Sequence, residues 1–231
     1  MAVQLLTALL VTVAFAVLAY ALGMISRGGA LGGLLVGTII YVSLGPQGFA
    51  VLALFVIGGS LLTRLGYRSK QRTGTAQEHG GRRGARNAIA NCSVAVLCAV
   101  LTAATGAQIF LAPFVASLGA AFADTSESEI GQLFSRTPRL VTTFRQVAPG
   151  TDGAISLPGT LAGVAAALLT AFLGLVLGML EAPGAALLVA TAAFLGTVAD
   201  SLIGALAPRA GNELTNILCT LVAALLALLF I

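Results

Sequence analysis

Acidic side chains are the groups in this sequence whose spacing could support chemistry. The stretch "FADTSESEIG" places Asp124, Glu127 and Glu129 within six positions, directly after an apolar run. On a continuous helix, side chains three residues apart are about 5–6 Å apart, so Asp124 and Glu127 could share a divalent cation. Mg²⁺ suits this pair because it binds through one or two carboxylates plus substrate phosphates. The alternative is a helix start, since Ser126 followed by Glu129, like Asp124 followed by Glu127, has the form of a capping box.

A fourth acid, Asp200, lies inside the apolar segment "FLGTVADSLIGAL". If that segment crosses a membrane, a carboxylate there costs roughly a few kcal/mol unless it is paired, protonated or facing water. We therefore predict that Asp200 joins Asp124 and Glu127 as a catalytic, Mg²⁺-binding group. The alternative is an ion pair between Asp200 and an arginine of another helix, which would fix packing.

Two glycine-rich, basic stretches could bind phosphate groups. Glycine lets the backbone approach a phosphate, arginine forks grip it, and a helix N-terminus favours anions. The first stretch, "TGTAQEHGGRRGARNAIAN", has membrane orientation or anionic-lipid contact as its alternative role. The second, "PRLVTTFRQVAPGTDGAISLPGT", contains a turn that is either an anion-binding nest or an ordinary tight turn. The predicted substrate- and phosphate-binding residues are Arg82, Arg83, Arg86, Asn87, Arg139, Gly150, Thr151, Asp152, Gly153, Ser201 and Asn216.

The composition indicates which elements position these residues. Hydrophobic residues make up 58% of the chain and charged residues 9%, with a mean hydropathy of +1.02, far outside the range of a soluble globular domain. The sequence therefore predicts a single integral membrane domain over residues 1–231. A membrane helix needs roughly 20 apolar residues. Eight segments meet or approach that length and predict an all-α polytopic bundle: 3–25, 29–44, 47–65, 87–105, 107–124, 157–179, 184–206 and 213–231.

The distribution of charge predicts how the bundle is oriented. Lys and Arg accumulate in the cytoplasmic loops of membrane proteins, and all 12 of them fall in or beside alternate connections of the eight segments. The other connections, "GPQG", "TGAQ" and "EAPG", contain none. Both termini are therefore predicted to lie outside, with cytoplasmic loops at about 66–86 and 125–156. All acids except Glu181 share that cytoplasmic side, so the active site is predicted there, at the inner membrane if the chain is bacterial.

Four motifs together resemble one membrane family. "GGRRGARNAIAN", "ADTSESEIG", "PRLVTTFRQVAPGTDGAISLPGT" and "DSLIGAL" followed by "NELTNILCT" are similar, in order and spacing, to the family that contains transmembrane protein 19 and the plant and cyanobacterial phytyl-phosphate kinase. The similarity covers about residues 25–231 and extends more distantly to dolichol kinase, phytol kinase and CDP-diacylglycerol synthase. It implies phosphoryl transfer from a nucleoside triphosphate, with CTP expected, to a prenyl monophosphate, giving the diphosphate used in tocopherol and related quinone synthesis.

The residue inventory agrees with that chemistry. A prenyl monophosphate is already an anionic nucleophile, so the single His and single Lys of the chain are no obstacle. The transfer needs metal and cationic stabilisation of charge on the transferred group. The prenyl tail is expected to enter laterally between helices, beside Gly159, Gly163 and Gly174. A CTP-dependent cytidylyltransferase and a transporter or flippase are the alternatives. A homodimer is compatible with the sequence, and nucleic acid is not an expected partner.

Overall fold

The computed structural model is helical apart from one small hairpin. The structure describes residues 2–230, without the side chain of Glu78. A 3₁₀ turn over Gln108–Phe110 precedes α6, and strands β1 (Arg139–Leu140) and β2 (Ala154–Ile155) pair antiparallel. The helices of the described residues are α1 (Ala2–Ala21), α2 (Arg27–Arg64), α3 (Tyr67–Arg72), α4 (Glu78–Gly81), α5 (Ala85–Thr105), α6 (Leu111–Phe134), α7 (Leu157–Val176), α8 (Pro183–Leu206) and α9 (Asn212–Phe230).

Seven helices of the described chain are long and apolar enough to cross a membrane. They are α1, α2, α5, α6 with its preceding 3₁₀ turn, α7, α8 and α9. The predicted all-α polytopic membrane fold is therefore confirmed. The count differs from the eight predicted segments because α2 contains two of them.

Helix α2 holds two predicted segments because the chain reverses at Gly45. Gly45 has φ 68° and ψ −161°, a conformation that glycine adopts readily because it has no Cβ. The two halves, 27–44 and 46–64, run antiparallel, since the Arg64 guanidinium at the end of α2 donates to the Leu22 carbonyl just before its start. The second and third apolar segments thus form one helical hairpin.

Helix α6 is the centre of the bundle. It packs against α2, α5, α7, α8 and α9, and every residue from Ala112 to Ala123 is buried. Small residues allow this close packing: a Cβ added at Gly119 would lie 3.2 Å from the Ala193 Cβ of α8. Groups carried by α6 are therefore held on a helix that is fixed from all sides.

The acidic stretch lies within α6 and not at a helix start. The Ser126 hydroxyl donates to the Phe122 carbonyl one turn earlier, at 2.7 Å, as in a helix interior. The capping-box alternative is therefore wrong. Asp124 and Glu127 lie on one continuous helix, as the metal-site prediction requires.

The connection after α6 is shorter than predicted. Because α6 continues to Phe134, the connection covers 135–156 and not 125–156. Gly150 and Gly153, with φ of 83° and 73°, form the turn that leads into β2. The local hydropathy falls too early to reveal the last ten residues of the helix, since several of them are polar but buried, such as Thr125, Ser126 and Glu129.

The basic connections meet at one end of the bundle. The connection between α2 and α5 covers residues 65–84, slightly less than the predicted 66–86 at its end, and carries α3 and α4. The Arg83 amide donates to the Met24 carbonyl at 3.1 Å, next to the start of α2. A Cβ added at Gly150 would lie 2.9 Å from Thr75, so the α6–α7 connection lies against the same loop. This clustering agrees with the charge pattern, and the membrane face on which it lies remains a prediction.

Cysteine labelling tests the orientation and the α2 hairpin together. We expect Gln47→Cys to react with a membrane-impermeant maleimide added outside intact cells, and Gly74→Cys to react only after permeabilisation. Both positions are exposed, at opposite ends of the bundle, and the native cysteines are buried. Labelling of Gly74→Cys in intact cells would contradict the orientation. Labelling of both positions from the same side would contradict the hairpin.

Candidate active site

A polar cavity of about 840 Å³ opens at the end of the bundle where the basic connections meet. Its walls come from α5 to α9, from Thr63 near the end of α2, and from the two connections 65–84 and 135–156. The fold therefore brings together groups that are far apart in the sequence. The predicted site residues in the lining are Arg82, Arg83, Arg86, Asn87, Asp124, Glu127, Gly150, Thr151, Asp152, Gly153, Asp200, Ser201 and Asn216.

Arg139 is the predicted phosphate-binding residue that does not line the cavity. It is exposed, and its Nη1 donates to the Phe144 carbonyl at 2.7 Å. Phe144 has a φ of 55°, so the guanidinium stabilises an unusual turn within its own connection. The predicted contact between Arg139 and a substrate phosphate does not fit this placement.

Glu127 is held where α6 crosses α7 and α8. Its Oε1 accepts a hydrogen bond from the Thr197 hydroxyl of α8 at 3.2 Å. A Cβ added at Gly163 would lie 2.4 Å from Glu127 Cγ, and one at Gly159 would lie 2.7 Å from the Glu127 carbonyl. Gly174 likewise packs against α6. These glycines are in contact with α6, so the prediction that they leave room for a prenyl tail is wrong.

Asp200 lines the same cavity from α8 without a basic partner. Its Oδ1 is buried and makes no hydrogen bond. In the described part of the chain, Asp200 forms no salt bridge with an arginine, whereas Lys70 and Glu129 form an ion pair. The alternative of an Asp200–arginine pair is therefore wrong. An unpaired carboxylate in a membrane helix is costly, so this side of the cavity favours a bound cation or a proton.

Three acids of the lining, here called the cavity carboxylates, are Asp124, Glu127 and Asp200. They are suited to bind a metal ion that is also coordinated by a substrate phosphate. They line one cavity and repel one another electrostatically. In the described part of the chain, no three His, Cys, Asp or Glu side chains are grouped as a ready metal site. Mg²⁺ keeps several waters and takes only one or two carboxylates besides substrate phosphates. The buried, unpartnered oxygen of Asp200 fits that donor set.

Arg82, Arg83 and Arg86 are here called the cavity arginines, and Arg83 is the one fixed by side-chain contacts. Its Nη1 donates to Asn87 Oδ1 at 3.3 Å and its Nη2 to Thr125 Oγ1 at 3.2 Å. Its guanidinium carbon lies 5.2 Å from the Phe55 ring centroid, within cation–π range.

Arg83 is suited to bind an anion because it is positively charged and its Nε–H has no hydrogen-bond partner. Burial lowers the pKa of its guanidinium, and the nearby Glu129 carboxylate opposes that shift. Arginine keeps its charge in proteins because its usual pKa lies far above neutrality. Its Nε is buried and has no hydrogen-bond partner. A phosphate oxygen would satisfy this donor through a charge-assisted hydrogen bond.

The turn at Gly150–Gly153 packs directly onto α8. A Cβ added at Gly153 would lie 2.6 Å from the Ser201 carbonyl, and one at Gly204 would lie 3.0 Å from the Gly153 amide nitrogen. Glycine at both positions lets the turn lie against the helix. The turn is thereby fixed at the cavity, where its residues, including Asp152, form part of the lining.

Lys70 and Glu129 form a buried pair that the sequence did not predict. Lys70 Nζ donates to Glu129 Oε2 at 2.5 Å and to the Leu62 and Thr63 carbonyls at 3.1 and 2.9 Å. All three ammonium protons are used, so the last turn of α2 is joined to α6. Lys70 is the only lysine of the chain, which is the signal that could have marked it.

Comparison with known proteins assigns the chain to a family. The DUF92 family of integral membrane proteins matches residues 10–224, a range that contains the whole cavity lining. This chain belongs to the DUF92 family. The match confirms the family assignment made from the four sequence motifs. No solved structure matches significantly.

The chain is similar to membrane and plant proteins from three organisms. An uncharacterized membrane protein of Synechocystis is 37% identical over 200 residues, covering 83% of this chain and 77% of that protein. Protein VTE6, chloroplastic, of Arabidopsis thaliana is 36% identical over 186 residues, 78% of this chain and 56% of its own length. An uncharacterized membrane protein of Methanocaldococcus jannaschii is 36% identical over 206 residues, 87% of this chain and 83% of its own. This chain therefore matches little more than half of the length of VTE6.

Breaking the Lys70–Glu129 pair from one side should destabilise the protein. Lys70→Met strands a buried carboxylate, and we expect it to lower the free energy of unfolding by about 3 kcal/mol, seen as a lower melting temperature in detergent. Adding Glu129→Leu removes the stranded charge and should restore most of the loss. Arg68→Met, on the exposed side of the same short helix, is the matched control. Equal melting temperatures for Lys70→Met and Arg68→Met would contradict a structural role for the pair.

Proposed function

We propose that this protein is a membrane-embedded, Mg²⁺-dependent lipid-phosphate kinase. It transfers a phosphoryl group from a nucleoside triphosphate, with CTP as the expected donor, to a prenyl monophosphate such as phytyl or geranylgeranyl phosphate. The observation that carries the proposal is one cavity, at the end of a membrane bundle, that contains both the cavity carboxylates and the cavity arginines. Family membership supports it, since the motif resemblance implies the same activity and VTE6 is among the relatives.

The reaction is a displacement at the terminal phosphorus of the triphosphate. An oxygen of the lipid phosphate forms the new P–O bond, the bond to the bridging oxygen breaks, and the nucleoside diphosphate leaves with the electron pair. The acceptor is already an anion at neutral pH, so no side chain has to remove a proton. This requirement agrees with a site built from carboxylates and arginines, in which the single lysine is already bound to Glu129.

The basic and acidic residues of the cavity have different proposed roles. The cavity arginines bind phosphate oxygens and hold the two substrates in line, which is the main task of a protein in phosphoryl transfer. The Gly150–Gly153 turn offers backbone amides to the same anions. The cavity carboxylates are the groups that would hold Mg²⁺, which supplies electrostatic stabilisation of the transferred group when it is bound. The concentration of basic connections at this end supports a site on the cytoplasmic face.

Removing any cavity carboxylate should abolish most activity. With purified protein, CTP, Mg²⁺ and geranylgeranyl phosphate, we expect CDP and the lipid diphosphate as products. Asp124→Asn, Glu127→Gln and Asp200→Asn should each lower turnover by about a hundredfold or more. Glu181→Gln, at the opposite end of the bundle, is the matched control and should keep wild-type turnover.

The melting temperatures and products of the same proteins decide between the alternatives. Asp200→Asn should melt at or above the wild-type temperature, because it removes an unpaired intramembrane carboxylate. Carboxylate variants that stay active but melt early would contradict the metal site. Release of pyrophosphate would instead indicate a cytidylyltransferase, and no nucleotide turnover with any prenyl phosphate would favour transport.

The position of Glu127 should matter as much as its charge. Gly163→Ala places a methyl group where the Glu127 side chain now lies, so the carboxylate has to move. A shift of about 1 Å at a reacting centre can lower turnover about a hundredfold, and we expect a loss of that order in the CDP assay. Gly184→Ala, at a helical glycine with open space around it, is the control. Wild-type turnover in Gly163→Ala would show that the glycine does not position Glu127.

A further inference from the structure

A second, apolar crevice adjoins the polar cavity. It lies between α1, the two halves of α2 and the start of α5, and we call it the slot. The slot and the polar cavity share Arg83, Gly84 and Asn87 as lining residues. The two spaces therefore meet at these three residues. The apolar side chains of the slot include Phe15, Val36, Phe49, Leu52, Phe55 and Cys92.

We infer that the slot seats the hydrocarbon chain of the lipid phosphate, while its phosphate group lies in the polar cavity at Arg83 and Asn87. This inference rests on the proposed function and specifies where the acceptor binds. A prenyl phosphate is an apolar chain that ends in an anion. The apolar slot matches the hydrocarbon chain, and the polar cavity with its arginines matches the phosphate. The lining changes from apolar to cationic at Arg83.

The contacts of Arg83 mark the boundary between the two spaces. The Phe55 ring, 5.2 Å from the guanidinium, lines the slot. The Asn87 and Thr125 oxygens accept from its two terminal nitrogens, and its Nε donor is buried without a partner. Filling that donor with a lipid phosphate oxygen places the first carbon atoms of the chain beside Phe55.

The size of the slot determines how much of the chain it holds. Its volume is about 50 Å³, and a group of water size needs about 10–15 Å³ on this measure. The slot therefore holds about one isoprenoid unit, the one next to the phosphate. The remaining units extend into the bilayer. Helix α1 packs mainly on α2, so we expect the chain to leave the slot beside α1.

Gly33 leaves open space beside the slot. It lines the slot on the first half of α2, and a Cβ added there would have no atom within 4 Å. The α7 glycines differ, since Gly163 is filled by Glu127. Open space is therefore present beside α2, and not at the α7 glycines that the sequence suggested.

Filling the slot should weaken lipid binding selectively. Gly33→Leu adds a side chain in open space, so the fold should be kept, as judged by melting temperature in detergent. We expect its KM for geranylgeranyl phosphate to rise about tenfold or more, with the KM for CTP unchanged. Gly184→Leu adds the same side chain at another open glycine and should leave both constants at wild-type values. An unchanged lipid KM in Gly33→Leu, or equal losses for both substrates, would overturn the inference.

Photocrosslinking tests the slot without relying on turnover. The probe is geranylgeranyl phosphate with a diazirine on the isoprenoid unit next to the phosphate. We expect labelled peptides from α1 and α2, at Thr12–Ala16, Gly29–Val36 or Phe49–Val56, and loss of labelling when unmodified geranylgeranyl phosphate competes. Labelling at these residues in a protein that makes no diphosphate would support the slot and contradict the kinase. Diphosphate formation with labelling confined to α6 and α7 would support the kinase and overturn the slot.

Discussion

Repulsion between carboxylates that lack a basic partner is the constraint on which the rest of the structure depends. Among the described residues, six acids line the cavity at one end of the membrane bundle, and Glu129 is paired with Lys70. The cavity carboxylates have no such partner, and Asp200 keeps an oxygen that is buried without a hydrogen bond. A membrane helix tolerates such groups when they face water or a ligand. Glu129 therefore joins two helices through Lys70. The cavity carboxylates remain free of such a pair and are the groups proposed to bind a cation.

Close packing holds these carboxylates in place, and glycine makes the packing possible. Gly163 accommodates the side chain of Glu127, and Gly153 with Gly204 brings a turn onto α8. Gly33 has the opposite role, because its empty side leaves a path toward the bilayer. Arg83 lies between the packed region and this path. An amphiphilic substrate needs both environments within one molecule's length, and the bundle provides them on the two sides of one guanidinium.

Most of the fold and much of the site could be predicted from the sequence, because hydropathy and charge are properties of short segments. The apolar runs predicted the helices and the membrane class, and the basic residues predicted which connections share one end. Asp124, Glu127 and Asp200 were identifiable because a carboxylate in or beside an apolar run is costly and therefore conspicuous. The glycine-rich basic loops were identifiable for the same reason, since few other segments of the chain are polar.

Only the tertiary structure decided which groups meet. Spacing in the sequence did not show that α6 continues through its acidic residues or that Lys70 contacts Glu129, 59 positions away. It also did not show that Arg139 donates a hydrogen bond to Phe144 within its own connection. The sequence did not distinguish a glycine such as Gly163, whose side-chain position is occupied by a neighbouring residue, from Gly33, whose side-chain position is empty. The sequence by itself therefore determined the membrane fold and the chemical types at the site. The folded bundle determined the contacts and the empty space, because both depend on distances between residues from separate helices.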